Sequence, residues 1–382
     1  MEGSMVGRLE SWFWKESFWL PGNVTWAIMA GDAEAGGPKN AQFRDLYFSV
    51  FVALALLVIR YTLERTVFRR LGVLLGIKER GADAHRSEDV KIFTKALTTN
   101  GHMNHTQTTR LAKELNMTER NVQLWIHRRA IQEKKLAKFT ETAWRFVFYA
   151  SVFVYGIYVL WDKPWLWDTL HCWYDFPHHP IANETWWYYM VELGFYVSCT
   201  LSHFVNTKRK DFWQMFIHHI VTIFLLCLSW IMNLHRVGSL VLIVHDFADV
   251  PLEFARMARY ATWLRLANAL FAVFTVSWIV SRVGLYPYRV VYSVVVDAPR
   301  IVGMAPIYYI FASLLMALQL MHIIWTWMIL RAALQAITHK GVEELGSADE
   351  STDEEDQPAI VSNGSHKAAD GKGLRPKNRK AD

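Results

Sequence analysis

KRKDFWQMFIHHIVTIFLLCLSW at 208–230 and RVGSLVLIVHDFADVPLEFARM at 236–257 decide how the rest of the chain is read. Each is about the length of a membrane-crossing helix, yet each carries ionisable side chains. Such groups are costly in lipid and face the interior of a helix bundle. At about 100° per residue, His218, His219, Thr222 and Ser229 share one arc of the first stretch, while Ile220, Phe224 and Leu228 point elsewhere. In the second stretch His245, Asp246, Asp249 and Glu253 share one arc, with Val241, Val244 and Leu252 as apolar positions. A third stretch, 186–205, aligns Glu192, Tyr196, Cys199 and His203. The three polar stripes predict a cleft in which two adjacent imidazoles meet carboxylates. His218 and His219 are the candidate base or nucleophile. Asp246 and Asp249 are the groups that would fix a tautomer and stabilise an imidazolium. Glu192, Tyr196, His203, Thr222, His245 and Glu253 are candidate lining residues.

Composition agrees with a polytopic membrane protein of the all-α class. Of 382 residues, 52% are hydrophobic and 20% charged, with 18 Trp. Seven stretches qualify or nearly qualify as spans: 44–64, 144–161, 186–205, 212–232, 237–257, 264–286 and 304–331. The first is the least clean, because Arg60 follows its uncharged run. Trp and Tyr gather at span edges, at 161–167 and 186–189, as an interfacial belt does. Residues 9–20, LESWFWKESFWL, read as an aromatic interfacial helix rather than a signal peptide. Three cysteines, Cys172, Cys199 and Cys227, exclude a disulfide framework, and no CxxC is present.

Basic loops orient the chain. Residues 65–138 hold more than twice as many basic as acidic residues, and Lys208–Lys210 and Arg256–Arg265 add two further clusters. The positive-inside rule places these in the cytosol, the N-terminus and the 162–185 loop in the lumen, and the C-terminus in the cytosol. Asn23 then heads a lumenal glycosylation sequon. The acidic run 348–356 belongs to a disordered tail, in which Ser347, Ser351 and Thr352 suit an acid-directed kinase. The domain reading is therefore a lumenal aromatic N-terminus (1–43), a first span (44–64), a basic cytosolic insert (65–138), a membrane domain with six spans (139–335) and an acidic cytosolic tail (336–382).

Within the insert, EDVKIFTKAL, TTRLAKELN and TERNVQLWIHRRAIQEKK read as short helices, with Thr118 as a helix start. TERNVQLWIHRRA at 118–130 resembles the recognition helix of a homeodomain. Arg stands where such domains read adenine with Asn, and the segment is short for three helices and an arm. Nucleic acid is therefore not the expected partner; the anionic leaflet or an acidic ligand is. No metal is expected either, since the His pairs at 178–179 and 218–219 have no further His at the offsets of a membrane di-iron centre. HCWYDFPHHP at 171–180 reads as an ordered cap.

Taken together, the 208–230 and 236–257 stretches, FWLPGNVTW at 18–26, the homeobox-like insert, DKPWLWD at 162–168 and WWYYMVELGFY at 186–196 resemble the ceramide synthases of the TLC-domain family over roughly residues 10–340. The resemblance implies an endoplasmic-reticulum enzyme that joins a fatty acyl-CoA to the amine of a sphingoid base, giving dihydroceramide or ceramide and CoA. His218 and His219 match the family's essential pair, and Asp246 and Asp249 its carboxylates. It further implies no cofactor, a long cavity for the acyl chain, an influence of the connection at about 287–303 on chain length, and dimers with itself or with other ceramide synthases. VEELGSADES after the last span departs from the family's usual acidic motif. Two routes stay open, an acyl-imidazole on His218 followed by His219 as base, or direct transfer with one His as base. The competing reading is a membrane-anchored lipid-sensing regulator built on the insert.

Overall fold

The computed structural model describes residues 11–22, 24–30, 40–77, 109–110, 112–113, 118–204 and 211–338. Asn23, Ser347, Ser351, Thr352 and most of the insert's first two expected helices lie outside the described residues. Among the described residues the chain is helical, without strands. Seven long helices form it: α1 (Asp45–Leu74), α2 (Glu119–Leu160), α3 (Asn183–Ser202), α4 (Phe212–Ile231), α5 (His235–Tyr260), α6 (Leu264–Ile301) and α7 (Pro306–Thr338).

Five of them, α1, α2, α4, α6 and α7, are long and apolar enough to cross a membrane. The expected count of seven rested on α3 and α5 as well. Both are helices of sufficient length, 20 and 26 residues, but their polar stripes remove them from a purely apolar criterion. The stripes are buried: Glu192 and Asp246 are both 0% exposed.

Two boundaries differ from expectation. The expected second span, 144–161, is only the last part of α2, whose 42 residues begin in the basic insert. Thr118 does cap that helix, its side chain accepting from the Asn121 N–H. The expected connection at 287–303 is also largely helical. α6 is π-wound over Ile279–Val291 and Ser293–Asp297 and continues to Ile301. Pro287 lies within the π-wound part. Proline lacks the N–H that an α-turn would use, and a π-turn is a common way to absorb such a defect.

α5 lies at the centre, along α2 and α6, with α4 and α3 also touching it. α3 packs on α1 and α4, and α7 packs on α4 and α6. The 162–182 segment folds as a cap over the α4–α5 turn. Asn233, with φ 53°, donates through its amide to the Pro177 and His179 carbonyls at 2.8 and 3.2 Å. Arg236 donates to the His171 carbonyl at 2.7 Å, and Arg289 to those of Leu166 and Trp167. Trp173 donates to Ser293 at 2.7 Å. His179, fully buried, faces the Tyr174 carbonyl at 2.8 Å. Burial and the neighbouring Arg236 hold its imidazole below the ordinary His range. Of the segment's histidines, His179 thus spends its ring nitrogens on backbone carbonyls.

Candidate functional site

His218 and His219 stand two turns into α4, and their placement follows from helical spacing. His218 packs edge-on against Trp325 of α7, with ring centroids 5.4 Å apart. Tyr196 of α3 lies edge-on to both, at 6.3 and 6.2 Å. His203 stands 5.7 Å from His219 and binds the Phe212 carbonyl at 3.1 Å. Thr222, one turn along, donates to the His218 carbonyl. The Nδ1 atoms of both His218 and His219 are buried without a hydrogen-bond partner.

No hydrogen bond or ion pair joins either imidazole to Asp246 or Asp249, so the expected tautomer-fixing contact is not formed in this state. Asp246 instead accepts from Tyr188 of α3 at 3.3 Å. That approach depends on Gly156 of α2, where a Cβ would stand 2.7 Å from the Tyr188 hydroxyl. Asp249 accepts from Arg282 of α6 at 3.2 Å, and the same guanidinium donates to the His245 carbonyl at 2.8 Å. Glu253 lies in an ion network with Arg145 at 3.1 Å and Arg256 at 2.7 Å, and Arg145 also pairs with Glu141. Glu192 lies within hydrogen-bonding reach of the Asp246 carboxyl, and neither Glu192 oxygen meets a donor from any other residue.

A second imidazole pair lies toward α7. His245 Nε2 is 3.2 Å from His322 Nε2, and His245 Nδ1 meets the Val241 carbonyl at 2.6 Å. His245 Nδ1 is thus the side of that ring that donates to the backbone, and His322 Nε2 faces both His245 Nε2 and the Arg282 guanidinium at 3.5 Å. Tyr286 stacks edge-on to both rings.

One turn along α4 from the His pair lies a small apolar pocket between α3, α4, α5 and α7, which neither imidazole lines. Tyr196, Thr222 and His245 line its polar end, and Leu226, Leu315 and Leu318 its walls. Of the six expected lining residues these three line it, whereas Glu192, His203 and Glu253 do not. The sequence reading passed over Arg282, His322, Arg145 and Tyr188. Arg282 and His322 stand inside the sixth and seventh expected spans, so the rule that singled out α4 and α5 could have found them.

The family model described as TLC domain matches residues 138–331. The chain is 37% identical to Ceramide synthase 5 of Mus musculus over 344 residues, which is 89% of this chain and 82% of that protein. It is 35% identical to Ceramide synthase 4 of Bos taurus over 92% of this chain and 91% of that one. It is 36% identical to Ceramide synthase 3 of Homo sapiens over 91% and 90%.

Proposed function

The chain belongs to the ceramide synthase family of TLC-domain proteins, and from that premise we propose a specific chemistry for its site. The protein is a sphingoid-base N-acyltransferase that takes the acyl group from acyl-CoA. The observation that carries the site assignment is the adjacent imidazole pair, with ring centroids 5.9 Å apart, on α4 one turn from Thr222, which lines the polar end of the apolar pocket.

In the proposed route an imidazole nitrogen of His218 attacks the thioester carbonyl. The carbon–sulfur bond breaks, and CoA leaves as thiol after taking the proton. The acyl-imidazole stays fixed between Tyr196 and Trp325, its chain in the cavity. His219 then takes one proton from the incoming ammonium, the amine attacks the acyl carbon, the carbon–nitrogen bond to His218 breaks, and the second amine proton passes to the departing His218 nitrogen, which restores the neutral imidazole as the amide leaves. Direct transfer with one His as base remains the second route. Asp246 and Asp249 serve in this reading as positioning residues, holding α5 to α3 through Tyr188 and to α6 through Arg282. The competing regulator reading is not favoured, since the likeness to curated ceramide synthases spans most of the chain.

The proposal includes seven spans, with α3 and α5 crossing as polar-faced helices inside the bundle. It also includes an endoplasmic-reticulum location with the N-terminus lumenal and the C-terminus cytosolic, supported by the basic loops. The family likeness supports pairing with a second ceramide synthase chain. Purified protein given sphinganine and a ladder of acyl-CoAs should form N-acyl products read by mass. Intact mass after acyl-CoA alone separates the two routes: an adduct mapped to His218 supports the acyl-imidazole, and no adduct supports direct transfer.

A further inference from the structure

Arg145 of α2 is the inner end of a line of basic residues that the site itself does not use. Counted from Arg145 at about 100° per residue, Lys138 lies at about 20°, Lys134 at about −20°, His127 at about 0° and Arg120 at about 20°. The line therefore keeps to an arc of about 40° over about 37 Å of helix. Arg128 and Lys135, equally basic, fall about 80–100° away from Arg145. The opposite half of α2 is the one packed on α1. There Glu133 pairs with Arg69 at 2.7 Å, and Leu136 and Phe139 close on Gly72.

The inner end stands at the site. Arg145 donates to Glu253 of α5 at 3.1 Å and lies within electrostatic reach of His219. Its other nitrogens are engaged by Glu141 and Thr142. α2 and α5 run antiparallel, with Phe146 on Phe254 and Phe153 on Phe247 at 5.1 and 5.9 Å between ring centroids. At that register Tyr260, the last residue of α5, stands level with Thr140 of α2. The rest of the line thus runs on past the end of α5. Arg120, His127 and Lys134 are exposed there, and Lys138 is half-buried.

The acyl donor is elongated in the same way. Its thioester must reach His218, while its diphosphate and 3′-phosphate sit at the far end of the pantetheine arm. Lys138 and Lys134 lie about 10 and 16 Å along α2 from Arg145. Lysine serves phosphate as a point charge. The acidic side chain nearest the arc, Glu141, is held by Arg145. Alignment with the site, rather than basicity alone, singles out this arc. We propose that Lys138 and Lys134, with His127 and Arg120 beyond them, form a track that holds the phosphates of the acyl-CoA donor while its thioester lies at His218. This rests on the acyltransferase reading of the site.

The test is steady-state kinetics of the full-length protein in phosphatidylcholine nanodiscs, which carry no net charge, with acyl-CoA and sphinganine varied in turn. Lys134→Gln combined with Lys138→Gln should raise the KM for acyl-CoA roughly tenfold, two exposed charge contacts being lost. The kcat and the KM for sphinganine should stay close to wild type, because the lysines stand far from the reacting carbon. Added salt should raise the wild-type KM for acyl-CoA more than that of the variant. Arg128→Gln combined with Lys135→Gln removes the same charge from off the arc and should change that KM much less. Lys134→Gln alone, at an exposed position, should give part of the effect and serves if the double variant does not fold. An unchanged KM for acyl-CoA overturns the proposal. Equal changes in the two double variants overturn it in favour of a diffuse surface potential. An effect that appears only when phosphatidylserine is added to the discs overturns it in favour of a contact with the anionic leaflet. A wild-type protein that forms no N-acyl product from any acyl-CoA overturns instead the functional reading on which it rests.

Discussion

Replacing Arg282 by Leu tests whether α5 and α6 are held together as the geometry says. Arg282 is 3% exposed. Its guanidinium donates to the His245 carbonyl at 2.8 Å and to Asp249 at 3.2 Å, and lies 5.0 Å from the Trp278 ring centroid. Leucine supplies none of these. The His245 carbonyl loses one donor, a cost of about 1–3 kcal/mol for a buried polar group. Asp249 is left as an uncompensated carboxylate; breaking a buried pair from one side costs about 3–5 kcal/mol, reduced here because the Asp249 side chain is 18% exposed. The cation–π contact adds about 1 kcal/mol or more where it is desolvated. The contributions share one side chain and do not add fully, so a total of about 3–5 kcal/mol is expected. At roughly 2–4 °C per kcal/mol, the thermal midpoint in detergent should fall by about 10 °C. Arg282→Leu combined with Asp249→Leu should recover part of that loss, because the second change removes the stranded charge. A midpoint within about 2 °C of wild type for Arg282→Leu alone would refute the reasoning, since 2 °C corresponds to no more than about 1 kcal/mol.

Other outcomes follow from the same structure. His218→Ala should lower N-acyl transfer by about 100-fold or more; near-normal product formation would remove His218 from the chemistry. Gly156→Ala should cost about 1–3 kcal/mol through overpacking against Tyr188 and loosen the Tyr188–Asp246 bond. Tyr188→Phe, which loses only the hydroxyl, should be milder, and equal costs for the two would discount the steric account. For the cap, His179 is held below its ordinary range in the folded state, so the unfolded chain takes up the proton first as pH falls. Its contribution is complete above about pH 6.5 and is lost progressively below it. Limited proteolysis of the 162–182 segment at pH 7.5 and 5.5 should show the loosening, and His179→Gln should flatten the difference.

Much of the site was legible because an α-helix turns a linear spacing into a face. His218 and Thr222 on α4 and His245 on α5 could be placed toward one interior from their numbers alone. Spacing also marked Glu192 and Asp246, and both are buried where α3 meets α5. It could not say what each polar group touches. Two carboxylates on the α5 arc, Asp249 and Glu253, turn out to be held by Arg282 of α6 and by Arg145 of α2. Those arginines are 33 and 108 residues away in sequence, and no local rule pairs them. The 287–303 segment was misplaced for a different reason. It was expected as the connection after a span ending at 286, but the π-wound helix carries the chain through Pro287 and on to Ile301.

By itself the sequence determined that the chain is helical, that it is suited to a membrane, that polar faces turn inward, and to which family it belongs, because hydropathy and helical period are properties of near neighbours along the chain. Only the tertiary structure decided the partners of each buried charge and which residues from distant helices share the walls of one pocket. Those depend on which helices lie side by side and how closely, and a void exists only where several distant segments fail to fill the same space.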